Sequence, residues 1–343
     1  MNQTKKKSTI IDVSKLAGVS NATVSRVLNG NDKVSEENRI KVLDAMHKLG
    51  FKPNVVAQSL ASKRTSSVGV LVAELHGPFY GSMMSGLEAT LRQSGKHAII
   101  TTGHSDAQRE REGIEFLISR KCDALILYVE AVSDDYLIEL AKHAPPFVII
   151  NRDIPELKDQ TICLNNEQGG YLATKALLEN GHKDIAYVSG PLWKSDAMAR
   201  LHGHKRALNE AGLSFNEQLL GEGDFREAGG REAMGLLLDK KLSGEIEFTA
   251  VACANDEMAS GAMKAAREHN IEIPDELSFV GFDNVIIAQY LYPSLSTIDY
   301  PVDTMGHEAA TWVLKHVYDI NDLDIKKEFD PEFISRESIK KLA

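Results

Sequence analysis

Hydrophobic residues change their spacing along the chain, and the change separates a short first part from a long second part. Between Ile10 and Leu49 they recur every three or four positions, which is the spacing of amphipathic helices. From Ser67 onward, continuous apolar runs such as residues 68–73 alternate with amphipathic segments of helical length. Such runs are typical of strands that are buried on both faces of a parallel sheet. The pattern predicts a small all-α head followed by a large α/β body.

The head has the pattern of a helix-turn-helix. Gly18 stands where a first helix would end, because glycine enters the left-handed backbone conformation without penalty. Ser20 is a good N-cap for a second helix, and Ser35 is a good N-cap for a third that Gly50 would stop. A helix, a tight glycine turn and a second helix form the helix-turn-helix unit. The residues predicted to face inward are Ile10, Val13, Leu16 and Ala17 in the first helix, Val24, Val27 and Leu28 in the second, and Ile40, Val42, Leu43, Met46 and Leu49 in the third.

The outward face of the second helix carries side chains that suit a DNA groove. Asn21, Ala22, Ser25 and Arg26 are small or short polar residues with one arginine. Side chains of these types fit a major groove and reach base edges. The alternative is a helical hairpin inside a larger core.

Charge separates the head from the rest of the chain. Residues 1–64 hold twelve Lys and Arg against five Asp and Glu, a balance of +7, whereas the remaining residues carry −17. A cationic segment on an anionic body indicates that binding to a polyanion is confined to the head. The alternative is a basic surface that is only solvated.

Composition excludes several classes of protein. The 343 residues are 43% hydrophobic and 26% charged, as expected for a globular chain of two or three domains. No run of about eighteen apolar residues exists to cross a membrane, and the N-terminus lacks the apolar stretch of a signal peptide. Cys122, Cys163 and Cys253 lie far apart, which argues against a disulfide framework or a structural zinc site. We expect a cytoplasmic protein whose cysteines are buried small hydrophobes.

Catalytic motifs are absent from the sequence. It has no phosphate-binding loop and no nucleophile elbow, and the segment 221–226 lacks the last glycine of the dinucleotide fingerprint. His202 and His204 lie two positions apart on a predicted helix, where their rings would face apart. We expect both to be surface residues rather than metal ligands. The sequence predicts neither an enzyme nor a bound cofactor or metal.

Two stretches near the N-terminus closely resemble the lactose/galactose repressor family of bacterial transcription regulators. They read Asp12-Val13, Ala17-Gly18-Val19-Ser20 and Thr23-Val24-Ser25-Arg26-Val27-Leu28-Asn29, followed by Pro53-Asn54 and Ala57-Gln58-Ser59-Leu60. The second stretch matches the family's hinge helix, which orders when two subunits meet on the operator. Leu60 matches the leucine that wedges into the minor groove, and its alternative is a core leucine. The resemblance implies that the DNA-binding residues are Thr9, Ser20, Asn21, Ala22, Thr23, Ser25, Arg26, Asn29, Asn54, Ala57 and Leu60.

The resemblance covers nearly the whole chain and implies its division into domains. Residues 1–52 are expected to form the DNA-binding head, residues 53–66 the hinge helix and linker, and residues 67–343 the effector-binding and dimerisation domain. The body is expected to consist of two doubly wound parallel-sheet lobes, as in periplasmic sugar-binding proteins. Lobe one would take about residues 67–164 and 298–324, and lobe two about 165–297 and 325–343, with crossovers near Asn165, Thr297 and Asp324.

Polar and aromatic residues follow the ends of the predicted strands, where two tandem lobes would hold a ligand between them. Carboxylates, guanidinium and amide groups pair with vicinal hydroxyls, and an aromatic ring packs on the apolar face of a sugar. Taken singly, each residue is also explained as a helix N-cap or a surface charge. The resemblance puts Asp283, Arg200, Asn255 and Phe225 at effector positions, with Phe79 and Tyr80 at the lip. The predicted effector residues are Phe79, Tyr80, Asn151, Arg152, Asp196, Arg200, Phe225, Asn255 and Asp283.

Residues 150–155, 163–166 and 249–256 look like the galactose-repressor branch of the family. The resemblance implies a repressor of sugar-utilisation genes, associated with the nucleoid, that a small sugar such as galactose releases from a palindromic operator. The C-terminal residues 335–343 lack leucine heptads, so we expect a homodimer. The alternatives are a β-glucoside-responsive repressor, a regulator whose ligand is a corepressor, and a soluble sugar-binding protein with an incidental basic N-terminus.

Overall fold

The computed structural model describes residues 8–28, 33–52 and 64–342. The chain divides into two compact units, and the boundary between them falls between Ser66 and Ser67. Most of the segment expected to form the hinge helix, residues 53–63, lies outside the described residues. None of the helices in the described part of the chain has the length and hydropathy that crossing a bilayer requires.

The head contains three helices, α1 (Ile10–Ala17), α2 (Asn21–Leu28) and α3 (Glu36–Leu49). Gly18 has a φ of 66° and ends α1, and its N–H donates to the carbonyl of Ser14. The core of the head consists of Val13, Ala17, Val24, Val27, Val42 and Ala45. The turn between α1 and α2 is therefore the one that the glycine predicts.

The core of the head is narrower than the sequence pattern predicts. Ile10, Leu16, Ile40 and Leu43 were expected to face inward, but more than a third of each remains exposed. Small residues such as Ser14 and Ala45 lie at the centre instead, and they let the short helices approach closely. The larger apolar side chains are consequently displaced to the rim.

The body alternates strands and helices. Its strands are β1 (Ser67–Val72), β2 (His97–Thr102), β3 (Ala124–Leu127), β4 (Phe147–Ile150), β5 (Thr161–Leu164), β6 (Ile185–Ser189), β7 (Leu220–Glu222), β8 (Ala250–Cys253), β9 (Ser278–Val280), β10 (Thr297–Asp299), β11 (Glu328–Phe329) and β12 (Glu332–Ile334). Its helices are α4 (Pro78–Gln93), α5 (Ala107–Ser119), α6 (Asp134–Leu140), α7 (Asn166–Glu179), α8 (Ser195–Glu210), α9 (Glu227–Leu242), α10 (Asp256–Glu268), α11 (Ile287–Tyr290) and α12 (Val302–Tyr318).

Two parallel sheets form two lobes. Lobe one has the strand order β2-β1-β3-β4-β5-β11, with α4 packed against α12 and with α5 and α6 over a second hydrophobic cluster. Lobe two has the order β7-β6-β8-β9, with α7 packed on α8 and α9 packed on α10. Alternate residues of β1 supply two hydrophobic clusters, since Val70 belongs to a cluster that continues into lobe two and Leu71 to one within lobe one. This architecture confirms the expected fold class.

The third crossover between the lobes falls later than expected. Residues 325–329 were assigned to lobe two, but Glu328 and Phe329 pair in parallel with Cys163 and Leu164 at the edge of lobe one. The chain crosses after Phe329, and β12 then pairs antiparallel with β10. The sequence gives little sign of β11, because a two-residue edge strand is too short to show a hydrophobic period.

Candidate functional site

The outer face of α2 presents the side chains that were predicted to contact DNA. Asn21, Ala22, Ser25 and Arg26 are exposed, while Val24 and Val27 are buried beneath them. A polar face of this size and composition fits the width of a DNA major groove. Asn29, Asn54, Ala57 and Leu60 lie outside the described residues.

Three further residues of the predicted DNA-binding set stabilise the starts of helices. The Thr9 hydroxyl accepts the N–H of Asp12, and the Asp12 carboxylate accepts the backbone N–H of Thr9 at 2.8 Å, so the two residues form a capping box at α1. The Ser20 hydroxyl accepts the N–H of Thr23 at 3.1 Å, and the two hydroxyl oxygens lie 2.9 Å apart. These contacts hold the N-terminal turn of α2 in shape, and helix N-termini attract phosphates.

A cleft in the body lies beyond the carboxyl ends of both sets of strands. Its walls come from lobe one and lobe two. Its lining residues are Ala73, Glu74, His76, Phe79, Tyr80, Ser105, Tyr128, Glu130, Lys194, Asp196, Arg200, Asp224, Phe225, Arg226, Asn255, Glu257 and Asp283. Seven of the nine predicted effector residues are among them, and the strand ends bring these seven together.

Arg200 is the most firmly held group of the cleft. Its Nε donates to Asn166 Oδ1 at 2.9 Å, and its Nη1 donates to the carbonyl of Ala254 at 2.5 Å and to Asp283 Oδ1 at 3.4 Å. The guanidinium also lies 3.7 Å from the centroid of the Phe282 ring. Burial disfavours the charged form of Arg200, but the carboxylates of Asp283 and Asp196 outweigh burial and raise its pKa. Arg200 is therefore a fixed cation with a defined orientation.

Asp283 and Phe225 occupy strained backbone conformations. Asp283 has a φ of 104° and Phe225 a φ of 69°, and residues other than glycine seldom adopt such values. Burial raises the pKa of Asp283 well above its usual range, and Arg200 opposes the shift. The ring of Phe225 packs so closely on Gly190 that a Cβ atom there would overlap it. Strain of this kind is typical of functional sites, where it fixes the direction of a side chain.

Asn255 links two parts of the lobe-two wall. Its Oδ1 accepts the N–H of Met258 and so caps α10, while its Nδ2 donates to the carbonyl of Phe225 at 2.9 Å. The second hydrogen of this amide is available to a ligand. Asn255 thereby fixes the position of Phe225 as well as its own.

The rings of Phe79, Tyr80 and Tyr128 line the wall of lobe one, and the buried ring of Tyr300 packs against Phe79 outside the lining. The ring centroid of Phe79 lies 5.3 Å from that of Tyr80, 6.1 Å from that of Tyr128 and 5.0 Å from that of Tyr300, in edge-to-face geometry. Burial raises the pKa of all three tyrosines well above the usual range, so their hydroxyls stay protonated. The wall offers apolar ring surface together with neutral hydrogen-bond donors.

Asn151 and Arg152 do not line the cleft. Asn151 donates to Tyr128 Oη and Asp196 Oδ2 and accepts from Asn166, so its amide is occupied by neighbouring side chains. Arg152 donates to the carbonyl of Val132 at 2.7 Å and pairs with Asp134 at 2.6 Å. Both residues face a separate depression on the crossover side of the lobes. They position other groups rather than line the cavity.

Sequence reasoning missed several cleft residues. Ser105 and Glu130 follow β2 and β3 closely, so the strand-end rule that identified Asp283 also applies to them. Lys194 and Arg226 lie deeper in their loops, and no local pattern marks them. Glu257 is shielded by the closeness of lobe one, and burial raises its pKa to about 7.

The prediction for the histidine pair was wrong for His204. His202 is exposed, but His204 is fully buried against Tyr187 and Phe215, because Gly203 lets α8 pack closely on α7. Since the Thr174 hydroxyl donates to Gly170, it accepts from His204 Nδ1 at 2.8 Å. Burial lowers the pKa of His204 to about 3, so the ring is neutral. The described residues contain no cluster of side chains suited to a metal ion.

Comparisons with known proteins agree with this arrangement. Residues 9–54 match the family model of bacterial regulatory proteins of the lacI family, and residues 174–339 match a periplasmic binding protein-like domain. The HTH-type transcriptional regulator GalR of Escherichia coli K12 is 39% identical over 332 residues, which cover 97% of this chain and 96% of that relative. The ribose operon repressor of Haemophilus influenzae is 36% identical over 335 residues, 98% of this chain and 99% of that relative.

A solved structure shows the same likeness at the level of the fold. The lac repressor dimer bound to operator and the anti-inducer ONPF matches with a TM-score of 0.84 and 26% identity, covering 98% of this chain and 100% of that one. These relatives are regulators of transcription and not enzymes. With its helix-turn-helix head and two-lobed body, the chain belongs to the lacI family of bacterial regulatory proteins.

Proposed function

We propose that this regulator represses sugar-utilisation genes and leaves a palindromic operator when galactose binds in the cleft. The observation that carries the proposal is the buried Arg200–Asp283 pair, which lies beside Asn255 and the Phe225 ring. A guanidinium, a carboxylate and an amide offer planar donors and acceptors for vicinal hydroxyls, and the ring offers a surface for the apolar face of a pyranose.

Binding to DNA is assigned to the outer face of α2 in each subunit of a homodimer. Two heads would occupy two half-sites, and the palindrome would reflect the twofold symmetry of the dimer. In this proposal residues 1–52 form the DNA-binding head, residues 53–66 the hinge helix and linker, and the rest the effector and dimerisation domain. Leu60 would wedge into the minor groove at the centre of the operator. Such a regulator works in the cytoplasm, at the nucleoid.

Coupling between the two sites must be reciprocal. If the sugar weakens operator binding by a given factor, the operator weakens sugar binding by the same factor. A corepressor would reverse the sign of this coupling, which distinguishes the two modes of regulation. Galactose is proposed because the chain resembles the galactose-repressor branch and GalR. The ribose operon repressor is nearly as similar overall, so ribose is the competing sugar to test.

The first test is a thermal-shift panel of the full chain with galactose, glucose, fucose, ribose, β-glucosides and purines. A ligand that binds only the native state adds about 2.7 kcal/mol of stability at a hundredfold excess over its Kd. We expect galactose to raise the Tm selectively. A shift with a glucoside or a purine alone would contradict galactose and leave the family assignment intact.

A pair of matched variants links the ligand to the cleft. Arg200→Lys removes the planar fork that contacts Asp283, and Arg206→Lys makes the same change on the same helix outside the cleft. We expect Arg200→Lys to abolish the shift with galactose and Arg206→Lys to retain it. Operator duplexes can be selected by the protein from a random pool, and their release can be followed by fluorescence anisotropy. Galactose should release them from Arg206→Lys and not from Arg200→Lys.

A further inference from the structure

The cleft carries more negative than positive groups. Its ionisable lining residues are six carboxylic acids, Glu74, Glu130, Asp196, Asp224, Glu257 and Asp283, with the three cations Lys194, Arg200 and Arg226 and the histidine His76. Burial raises the pKa values of Glu130, Asp283 and Glu257, and the cations Lys194 and Arg200 oppose the rise at Glu130 and Asp283. With these two acids ionised by their partners and only Glu257 neutral, five carboxylates outnumber the three cations.

Each of the three cations contacts a carboxylate of the cleft. Lys194 Nζ lies 2.8 Å from Glu130 Oε2, and Arg200 Nη1 lies 3.4 Å from Asp283 Oδ1. Arg226 pairs with Glu74. The Lys194 and Arg226 pairs join the two lobes, since both cations belong to lobe two and both acids to lobe one. No cation lining the described cleft is therefore left without an acidic partner.

The Glu130–Lys194 pair is buried and held in place. Both side chains are only 11% exposed, and Ser105 donates to Glu130 while accepting from Lys194 at 3.1 Å. The loop of Glu130 is fixed by Glu110, whose buried carboxylate accepts the backbone N–H groups of Glu130, Ala131 and Val132. The pair therefore has a defined geometry before any ligand enters.

Lys194 also lies next to the surface on which a sugar ring would stack. Its Nζ is 5.5 Å from the centroid of the Phe225 ring. An unpaired ammonium at this place would attract the carboxylate or phosphate of an acidic sugar, because a charge inside a cleft is screened less than one in water. The partner carboxylate of Glu130 cancels that attraction.

We infer that the Glu130–Lys194 pair makes the cleft selective for uncharged sugars and excludes sugar acids and sugar phosphates. The inference rests on the proposed function, because it takes the occupant of the cleft to be a sugar. An anion would meet a surplus of carboxylates, and it would have to separate a buried ion pair before it reached a cation. Repulsion of an anion leaves the hydrogen bonds to a neutral sugar unchanged.

The test compares galactose with galacturonate, which differs from it by a carboxylate at C6, and with galactose 6-phosphate. Isothermal titration calorimetry on the full chain gives the affinity for galactose relative to that for each anion. We expect galactose to bind the wild type at least about tenfold more tightly than either anion. Equal or tighter binding of an anion would overturn the inference.

Glu130→Gln keeps the shape of the side chain and leaves Lys194 as an unmatched cation. We expect it to reduce the preference for galactose over galacturonate about tenfold or more, with an effect that weakens at high salt. The double variant Glu130→Gln/Lys194→Met restores the charge balance and should regain most of the preference. Glu139→Gln removes an exposed carboxylate that pairs with Lys142 in lobe one, and it should leave the ratio unchanged.

The outcomes separate the inference from the proposed function. If another neutral sugar binds in place of galactose, the proposal of galactose as the effector is wrong. The inference is then tested with that sugar and its acid, for example glucose and glucuronate. An unchanged ratio in Glu130→Gln that still binds the neutral sugar overturns the inference alone. If Glu130→Gln does not fold, Lys194→Gln provides the opposite test, because losing a cation should increase the preference for the neutral sugar. Binding of no sugar by the wild type overturns both.

Discussion

The outer face of α2 and the wall of the cleft hold their polar groups in different ways. On α2, Asn21, Ser25 and Arg26 are exposed on one eight-residue helix, and water surrounds their side chains. In the cleft, Arg200 and Asp283 are 3% and 7% exposed and come from separate segments. The first surface depends on a single helical register, whereas the second depends on the packing of the whole body. Substitutions on α2 should therefore affect function alone, and substitutions in the cleft should affect function and stability together.

The largest effect is expected from Asp283→Ala, which leaves the buried Arg200 without its carboxylate partner. Removing one member of a buried ion pair costs about 3–5 kcal/mol of unfolding free energy, because the remaining charge is uncompensated. Urea denaturation of the full chain measures this loss. Glu139→Ala breaks an exposed pair with Lys142 and should cost less than about 1 kcal/mol. Similar losses in the two variants would contradict the contrast between buried and exposed groups.

The next effect concerns pH and His204. Its pKa is about 3 in the folded state, below the usual value of about 6.5, so the unfolded chain binds a proton that the folded chain does not. The stability that His204 contributes is complete above pH 6.5 and falls by about 1.4 kcal/mol for each pH unit below it. Urea denaturation at several pH values between 7 and 5 measures the free energy of unfolding. This free energy should fall less with decreasing pH in His204→Leu than in the wild type. His202→Leu, an exposed neighbour, should behave as the wild type does.

Gly190→Ala should have a smaller effect on stability and a large one on ligand binding. The added Cβ overlaps the Phe225 ring, which must move away from its place in the cleft. Overpacking of this kind costs about 1–3 kcal/mol. We expect galactose affinity to fall about tenfold or more, measured by calorimetry. Gly235→Ala places a methyl group in open space on α9 and should leave sugar affinity unchanged. Wild-type affinity in Gly190→Ala would contradict the role given to Phe225.

The smallest effect on stability is expected on α2. Arg26→Ala removes an exposed side chain, so the free energy of unfolding should change by no more than about 0.5 kcal/mol. Operator affinity should fall by about 1–3 kcal/mol if Arg26 contacts a base edge, and fluorescence anisotropy on a selected operator measures it. Lys48→Ala, which removes an exposed cation of α3 that pairs with Asp44, serves as the control. A variant that unfolds the head, or that binds its operator normally, would contradict the comparison.

Helical and strand periods explain which parts of the molecule could be predicted from sequence. The register of α2 follows from Val24 and Val27, and it also fixes the direction of Ser25 and Arg26. Asp283 and Asn255 could be predicted to share a site, because parallel strands end at the same edge of a sheet. Asn151 satisfies the same rule, yet its amide is used by Tyr128 and Asp196.

Features that depend on the approach of distant segments could not be predicted in this way. The Glu130–Lys194 pair exists because two lobes meet, and neither residue carries a local signal of the other. His204 is buried because Gly203 allows two helices to approach closely, which a helical period does not show. Strand β11 is only two residues long and is placed by pairing with β5.

The positive φ angles at Phe225 and Asp283 set a limit on how this protein can be turned into a biosensor for other compounds. At such positions glycine, asparagine and aspartate are the residues that the backbone accepts readily, and β-branched residues are the least compatible. In a library that varies all twenty amino acids there, most members would carry a backbone strain of about 1–3 kcal/mol. Positions with ordinary backbone angles around the cleft, such as Phe79 and Tyr80 on α4, are where sequence diversity can be introduced with the scaffold intact.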